Sequence, residues 1–323
     1  MNPKDLRIVF MGTPALAAFS LKKLHEGGYN VVGVVTAPDK PAGRGLKLQP
    51  SEVKKFGAEQ GIPVLQPERL KSPEFLEELK SLAPDVQVVV AFRMLPEAVW
   101  SLPPKGTFNM HASLLPQYRG AAPINWAIIN GEKETGVTTF LLDREIDTGK
   151  ILFQAEMTIY ENETAGSLHD RIMVAGADLV LKTIDALAEN TVEAVEQSAL
   201  FSESSQLKKA PKIFKDDCLI DWKKPCREVV NHIHGMSPFP GAFTIIKIDE
   251  KELVLKIFEA VAQKMTHTYN YGELLSDGKS IFAFTTPDGI VEVKSLQMAG
   301  KKRMNTPDFL RGFRLDDLNN MPI

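Results

Sequence analysis

The hydrophobic positions of residues 1–190 alternate between short β-branched runs and amphipathic stretches. The runs at 6–11 and 31–36 predict strands on either side of a helix over 15–25, which Gly27 and Gly28 end. A nearly continuous apolar run at 85–92 predicts a strand buried on both faces, and serines at 51 and 72 predict capped helices over 51–60 and 72–82. Strands that alternate with helices are typical of a parallel sheet, because a parallel pair needs a crossover connection.

The second half of the chain has a different pattern. A long Ala/Leu-rich helix is predicted over 163–189, and residues 191–209 are rich in Ser and Glu, as linkers are. A helix over 225–234 then precedes short alternating runs at 243–248, 252–258, 281–285 and 291–296. Closely spaced strands of this kind favour a small barrel.

These patterns predict an α/β fold with two domains. Residues 1–190 would form a Rossmann-like, twisted and mostly parallel sheet with flanking helices. Residues 191–209 would form a linker, and residues 210–323 a smaller C-terminal β-barrel (OB-like) domain. A length of 323 residues with 44% hydrophobic positions is sufficient for two cores.

Composition excludes several classes of protein. The two cysteines, Cys218 and Cys226, are too few for a disulfide framework and lack zinc-site spacing, so no metal is expected. The apolar runs are too short to span a membrane, and we expect a cytoplasmic protein without a membrane partner. Gly12 follows the first strand, but no G-x-G-x-x-G motif accompanies it, which disfavours a nicotinamide cofactor.

Candidate chemistry is concentrated near residue 110 and at one later loop. Asn109 and His111 are two positions apart in a predicted strand, so their side chains leave the same face. Pro116 ends this extended run, which places the pair near a strand end, where α/β proteins bind ligands. Asp147 lies between the apolar runs 137–142 and 151–153, and we expect it on a loop between two strands. Taken singly, each of these residues is common in structural positions.

The combination of motifs resembles the folate-dependent formyltransferase family. The matching parts are Asn109, His111, Ser113-Leu114-Leu115-Pro116 and Asp147-Thr148-Gly149. The resemblance implies a one-carbon transferase that moves a formyl group from 10-formyltetrahydrofolate to an amine, with Asn109, His111 and Asp147 as its catalytic residues. It also implies two folate-binding segments, Arg93-Met94-Leu95, whose backbone bonds the pterin ring, and Ser113, Leu114, Leu115 and Pro116.

These three residue types suit the chemistry of formyl transfer. The reaction passes through a tetrahedral carbon that carries an oxyanion, and the attacking amine must lose a proton. The Asn109 amide can donate to the formyl oxygen without titrating. His111 is a better donor as an imidazolium, and a nearby carboxylate favours that form. Asp147 is the candidate for that carboxylate.

A basic segment indicates the amine substrate. Residues 37–50 contain three prolines, two glycines and the cations Lys40, Arg44 and Lys47, which predicts an exposed loop without regular structure. A solubilising surface loop would have the same composition. The segment nevertheless resembles the loop that the methionyl-tRNA branch of the family inserts at this point. The resemblance therefore implies initiator methionyl-tRNA as substrate.

A second basic cluster, Lys301, Lys302 and Arg303, follows the predicted barrel strands. It resembles a segment of the C-terminal barrel in the same branch, and we take it as a second candidate tRNA contact, although a solvated turn explains it equally well. A monomer is expected. Two alternatives stay open: a sugar-nucleotide N-formyltransferase with the same catalytic residues, and a non-enzymatic RNA-binding module.

Overall fold

The computed structural model describes residues 2–42, 47–201, 206–248 and 251–312. The helices are α1 Ala15–Glu26, α2 Glu52–Glu59, α3 Pro73–Ser81, α4 Glu97–Trp100, α5 Pro123–Ile129, α6 Ala165–Glu189, α7 Cys226–Gly235 and α8 Thr306–Arg311. The strands are β1 Ile8–Gly12, β2 Val31–Val35, β3 Lys40–Ala42, β4 Lys47–Gln49, β5 Val64–Leu65, β6 Val86–Val90, β7 Thr107–His111, β8 Arg119–Gly120, β9 Glu134–Leu141, β10 Ile151–Thr158, β11 Lys209–Ala210, β12 Ala242–Ile248, β13 Lys251–Lys264, β14 Leu274–Ser276, β15 Phe282–Thr286, β16 Gly289–Met298 and β17 Met304–Asn305.

The chain forms two compact units. The first unit comprises Met1–Gly120, Thr135–Met157 and Asp170–Lys209, and the second comprises Ala121–Glu134, Thr158–His169 and Ala210–Ile323. The predicted domain boundaries at residues 190 and 210 remain predictions. Within the first unit, the segment after α6 makes contacts with the rest of the fold: Val195 forms a β-bridge with Ile151, and Gln197 is buried.

A seven-stranded sheet organises the first unit, in the order β10-β9-β7-β6-β1-β2-β5. β1 pairs in parallel with β2 and β6, and β6 pairs in parallel with β7, whereas β7 and β9 are antiparallel. All five residues of β1 and of β6 are buried, as expected for central strands covered on both faces. The predicted twisted, mostly parallel α/β sheet is confirmed.

The predicted helix starts in this unit are also confirmed. Ser51 caps α2, because its hydroxyl accepts a hydrogen bond from the Lys54 backbone N–H at 3.0 Å. Ser72 caps α3 in the same way, and Pro73 occupies the first helical position, where no backbone donor is needed.

The basic segment 37–50 was predicted without regular structure, and that prediction is wrong for part of it. β3 and β4 pair as an antiparallel hairpin, with Lys40 opposite Gln49 and Pro41 opposite Leu48. In a sheet of two strands each strand is an edge, and a proline is tolerated where its missing N–H would face outward. Arg44 lies outside the described residues.

An antiparallel, curled half-barrel sheet organises the second unit. Its strand order is β12-β13-β16-β15-β14, and β17 pairs with the free part of β16. β16 begins with alternating burial, so one of its faces packs into a core that also contains residues of α7 and α8. The smaller C-terminal β fold predicted from the alternating runs is confirmed, while α5, β14, β17 and α8 were not predicted.

In the described part of the chain, every helix is too short or too polar to cross a membrane.

Candidate active site

Strand β7 carries the first two site residues. Asn109 lies beside Val89 of the parallel strand β6, and His111 lies beside Thr138 of the antiparallel strand β9. The predicted two-residue spacing within one strand is confirmed, so both side chains leave the same face at the carboxyl end of β7.

His111 is held by two neighbours. The residue is 6% exposed, and Nε2 lies 2.9 Å from the carbonyl oxygen of Tyr118. Because a carbonyl only accepts, Nε2 must carry a hydrogen and donate it. Nδ1 is therefore the nitrogen that can gain or lose a proton, and it faces Oδ2 of Asp147 at 3.8 Å. That distance suits an ion pair but is too long for a hydrogen bond.

Asp147 lies on the loop between β9 and β10, as predicted. Its backbone has φ of 57°, in the left-handed region that few non-glycine residues occupy, although Asp tolerates it. Its Oδ2 accepts a hydrogen bond from the Gly120 backbone N–H at 2.9 Å, and its side chain is 13% exposed. The carboxylate is therefore fixed by one backbone donor in addition to its imidazole neighbour.

Close packing restricts the end of the Asp147 loop. A Cβ atom added to Gly149 would lie 1.7 Å from the carbonyl oxygen of Leu141, a separation that no real side chain can have. Thr148 donates from Oγ1 to Oδ1 of Asp143 at 2.8 Å, which ties the two ends of the loop. The Asp-Thr-Gly motif thus supplies a carboxylate, a tie and a residue small enough for the turn.

Two residues that sequence reasoning did not select complete the site. Gln197 donates from Nε2 to the carbonyl oxygens of Asp147 and Gly149, at 2.9 and 2.8 Å. Its Oε1 accepts from the Arg119 guanidinium at 3.1 Å from Nε and 2.6 Å from Nη2. Neither residue belongs to the motifs that carry the resemblance, and Gln197 lies in the Ser- and Glu-rich segment, where a single glutamine carries no signal of its own.

Asn109 has a polar atom that is left unpaired. Its Oδ1 is buried and has no hydrogen-bond partner among the described residues. Buried polar atoms are nearly always paired, so an unpaired one at a strand end fits a ligand that supplies the missing donor. An amide here can serve a bound formyl donor and an amine.

The 113–116 segment packs inward. Ser113 is fully buried, and its hydroxyl donates to the carbonyl oxygen of Gln117 at 2.7 Å. Thr138 donates to the Ser113 carbonyl at 2.7 Å, and Gln154 donates to the Leu115 carbonyl at 2.8 Å. Leu115 and Pro116 are buried and Leu114 is partly exposed. These bonds support the loop between His111 and Tyr118, and folate contact by this segment remains a prediction.

The second predicted folate segment follows β6. Met94 is 71% exposed and Leu95 is 7% exposed, so the segment has both an open and a packed side chain. The Arg93 guanidinium donates to the carbonyl oxygens of Pro67 and Glu68, and burial lowers its pKa from the ordinary value. The side chain of Arg93 therefore stabilises the 67–68 turn, and folate binding through its backbone remains a prediction.

The predicted tRNA-binding cations fall into three groups. Lys40 is exposed on the hairpin, the side chains of Arg44 and Lys47 lie outside the described residues, and Lys301 and Lys302 are exposed. Arg303 is engaged within the second unit: it donates to Ser295 Oγ at 2.7 Å, pairs with Glu259 at 2.5 Å, and lies over the Phe258 ring. Its guanidinium is thus already committed to structural contacts.

Among the described residues, no cluster of three or more His, Cys, Asp or Glu side chains is arranged to hold a metal ion.

Comparison with known proteins relates the chain to transferases. A family model described as formyl transferase matches residues 6–184, and one described as formyl transferase, C-terminal domain, matches residues 212–314. The methionyl-tRNA formyltransferase of Parabacteroides distasonis is 53% identical over 316 residues, 97% of this chain and 98% of that protein. The methionyl-tRNA formyltransferase of Bacteroides thetaiotaomicron is 52% identical over 318 residues, 98% of each chain.

Solved structures with lower identity share the fold. The N-formyltransferase of Helicobacter canadensis, in complex with folinic acid and dTDP-3-aminofucose, has a TM-score of 0.65 at 22% identity and covers 93% of this chain and 100% of its own. HypX of Aquifex aeolicus, in complex with tetrahydrofolic acid, has a TM-score of 0.64 at 19% identity and covers 98% of this chain. The chain spans about half the length of HypX, at 49%. The matched family models and the two close relatives show that the chain belongs to the formyltransferase family, in its methionyl-tRNA formyltransferase branch.

Proposed function

We propose that this chain transfers the formyl group of 10-formyltetrahydrofolate to the α-amino group of methionyl-initiator tRNA, giving the N-formylmethionyl-tRNA used in translation initiation. The relatives at 53% and 52% identity are named methionyl-tRNA formyltransferases, which supports formyl transfer to methionyl-tRNA. The observation that carries the proposal is the unpaired amide oxygen of Asn109, two residues before a histidine that faces a carboxylate.

Asn109 can bind both reactants. Bound 10-formyltetrahydrofolate supplies an electrophilic formyl carbon. The Asn109 Nδ2 group donates to the formyl oxygen, where negative charge develops during attack. Its unpaired Oδ1 accepts a hydrogen from the incoming amine, which orients the nitrogen lone pair toward the formyl carbon.

His111 contributes charge. The Tyr118 carbonyl holds the Nε2 hydrogen, so the ring cannot rotate without losing that bond. With a proton on Nδ1 the ring is an imidazolium, whose positive charge stabilises the oxyanion and is attracted to Asp147 at 3.8 Å. Loss of that proton from Nδ1 leaves the bond to Tyr118 intact.

Asp147 handles the proton of the amine. The gap of 3.8 Å between its Oδ2 and His111 Nδ1 leaves the carboxylate oriented by the Gly120 N–H and able to bind a bridging water. The attacking amine becomes an amide and must release a proton, which passes to the carboxylate through such a water. The bond between the formyl carbon and N10 then breaks, and N10 of the departing tetrahydrofolate takes up that proton from the carboxylate. Asp147 and His111 thus stabilise opposite charges that appear in the same step.

The folate and tRNA contacts are proposed on separate grounds. The backbone around Arg93 and the exposed side chain of Met94 form the proposed pterin-binding segment at the end of β6. The sequence segment 37–50, which contains Lys40, Arg44 and Lys47, together with the exposed Lys301 and Lys302, supplies cations suited to phosphate. We propose a monomer in the cytoplasm, where its tRNA substrate is made.

A direct assay tests this function. The purified protein and 10-formyltetrahydrofolate are offered methionyl-initiator tRNA in one reaction and a dTDP-amino sugar in another. We expect formylation of the methionyl amine and none of the sugar amine, and Asn109→Ala to lower kcat by a factor of about 100 to 1,000. Preferential formylation of the sugar would replace this proposal with the sugar-nucleotide alternative, and no formylation of either amine would leave the RNA-binding alternative.

A further inference from the structure

We propose that Gln197 is a positioning residue for Asp147, holding the loop that carries this carboxylate in the geometry used for formyl transfer. The proposal rests on the proposed function in one respect, namely that Asp147 acts in the reaction. Gln197 begins the short 3-10 helix Gln197–Leu200 and is 2% exposed. Sequence composition had assigned this segment to a linker.

All four hydrogen-bonding positions of the Gln197 amide are used. The two Nε2 hydrogens go to the carbonyl oxygens of Asp147 and Gly149, at 2.9 and 2.8 Å. The two lone pairs of Oε1 accept from Nε and Nη2 of Arg119, at 3.1 and 2.6 Å. Because carbonyls only accept and a guanidinium only donates, these partners allow a single orientation of the amide.

These contacts close a ring that includes the Asp147 carboxylate. Gln197 binds the main chain of Asp147 on one side and the side chain of Arg119 on the other. The next residue, Gly120, donates its N–H to Asp147 Oδ2 at 2.9 Å. The preceding residue, Tyr118, accepts from His111. One amide therefore joins the loop that carries the acid to the segment that orients both the acid and the imidazole.

The conformation of Asp147 explains why such a tie is needed. Its φ of 57° lies in a sparsely populated region, and residues in such regions persist where surrounding contacts hold them. Removal of the Gln197 donors would leave two carbonyls without their partner and release the loop to relax. The separation of Asp147 Oδ2 and His111 Nδ1, 3.8 Å here, would then increase.

Gln197→Glu is the decisive variant. It keeps the shape of the side chain and the acceptors for Arg119, but replaces the donors to the Asp147 loop by an oxygen that repels both carbonyls. We expect kcat to fall by roughly 100-fold, the effect of about 1 Å of misplacement, with the KM for the formyl donor changed by less than about threefold.

Glu196→Gln is the matched control. Glu196 is the adjacent residue, and its ion pair with Lys150 at 3.0 Å is exposed, so its loss should leave kcat within about twofold of wild type. A Gln197→Glu protein with wild-type kcat would overturn the positioning role. A protein whose melting temperature falls while the kcat per folded molecule stays unchanged would overturn it as well, because only stability would then depend on Gln197.

A mutant cycle tests whether Gln197 acts through Asp147. We expect Gln197→Glu combined with Asp147→Asn to be no slower than Asp147→Asn alone, because the tie has no carboxylate left to position. Losses that multiply would show that Gln197 acts by another route. Should Gln197→Glu fail to fold, Arg119→Lys, which breaks the guanidinium fork, takes its place in the same cycle with the same expectation.

A crystal structure of the variant gives a readout that does not depend on activity. We expect the distance between His111 Nδ1 and Asp147 Oδ2 to exceed its present 3.8 Å by about 1 Å in Gln197→Glu and to be unchanged in Glu196→Gln. An unchanged distance in Gln197→Glu overturns the positioning role even if the wild-type chain formylates nothing. Failure of the wild-type chain in the formylation assay, by contrast, overturns only the proposed function.

Discussion

Each compact unit contains a buried histidine, and the two have opposite surroundings. His111 in the first unit is 6% exposed and His234 in the second is 4% exposed. His111 donates to the carbonyl of Tyr118 and faces the Asp147 carboxylate, whereas His234 accepts a hydrogen bond from the Ala260 N–H at 3.2 Å and lies near Arg227. Nearly equal burial therefore accompanies two different uses of imidazole.

The difference follows from what each partner requires. A ring that accepts from a backbone N–H must keep a lone pair, and burial, reinforced by the Arg227 charge, lowers the pKa of His234 to about 4. Strand β13 is irregular at Ala260, where its pairing with β16 shifts register, and His234 receives the N–H there. His234 is a neutral structural acceptor, while His111 keeps Nδ1 available for a proton.

The largest expected effect is on kcat, which should depend on His111 but not on His234. His111→Ala should lower kcat for formyl transfer by a factor of about 100 to 1,000, because it removes the positive charge that stabilises the oxyanion. Binding of tetrahydrofolate, measured by calorimetry, should stay close to wild type. His234→Gln, whose amide oxygen can accept from Ala260, is the control and should retain kcat. A His111→Ala enzyme within about tenfold of wild type would remove the contrast in function.

The next largest expected effect is the pH dependence of folding stability that His234 causes. The folded pKa of His234, about 4, lies below that of an unfolded imidazole, about 6.5, so between these values the unfolded chain binds the extra proton. The contribution to stability is complete above pH 6.5 or so, falls as the pH is lowered, and is lost by about pH 4, a change of up to about 3 kcal/mol.

Urea unfolding of wild type and His234→Gln between about pH 7.5 and 4.5 measures this change, since common carboxylate effects cancel in the difference. We expect the wild type to lose more stability on acidification than the variant. Parallel curves for the two proteins would mean that His234 does not titrate below its unfolded value.

The smallest expected effect tests how much the charge of the neighbouring Arg227 contributes to the lowered pKa of His234. Arg227→Gln removes the cation that reinforces burial, so the pKa of His234 should rise while remaining depressed by burial. The acid-dependent loss of stability should shrink by less than about 1 kcal/mol and end at a higher pH. Arg227→Lys keeps the charge and should reproduce the wild-type curve. Equal curves for Arg227→Gln and wild type would assign the whole shift to burial.

Periodicity predicted the elements that pack against a continuous core. The strands β1, β6 and β7 and the helices α2 and α3 were found from runs, alternation and caps, because burial and capping impose residue types locally. The hairpin of β3 and β4 was missed because prolines and glycines signal irregular backbone, and the edge position that tolerates Pro41 depends on pairing.

The residues of the candidate site likewise divide into those that the sequence could identify and one that it could not. Asn109, His111 and Asp147 could be selected because a strand period and a loop motif bring particular residue types into view, and the resemblance joined them. Gln197 could not be selected, because one glutamine in a polar segment looks like any solvated side chain. Its importance depends on carbonyls about fifty residues away, at Asp147 and Gly149.

The sequence by itself determined the α/β order of elements, the pairing of an amide with an imidazole on one strand face, and membership in the formyltransferase family. Tertiary structure decided which imidazole nitrogen can exchange a proton, how far the carboxylate lies from it, and what holds the carboxylate there. The physical reason is the distance along the chain over which each effect acts. Periodicity and capping act over a few residues, whereas hydrogen-bond partners and burial are chosen only when distant segments meet.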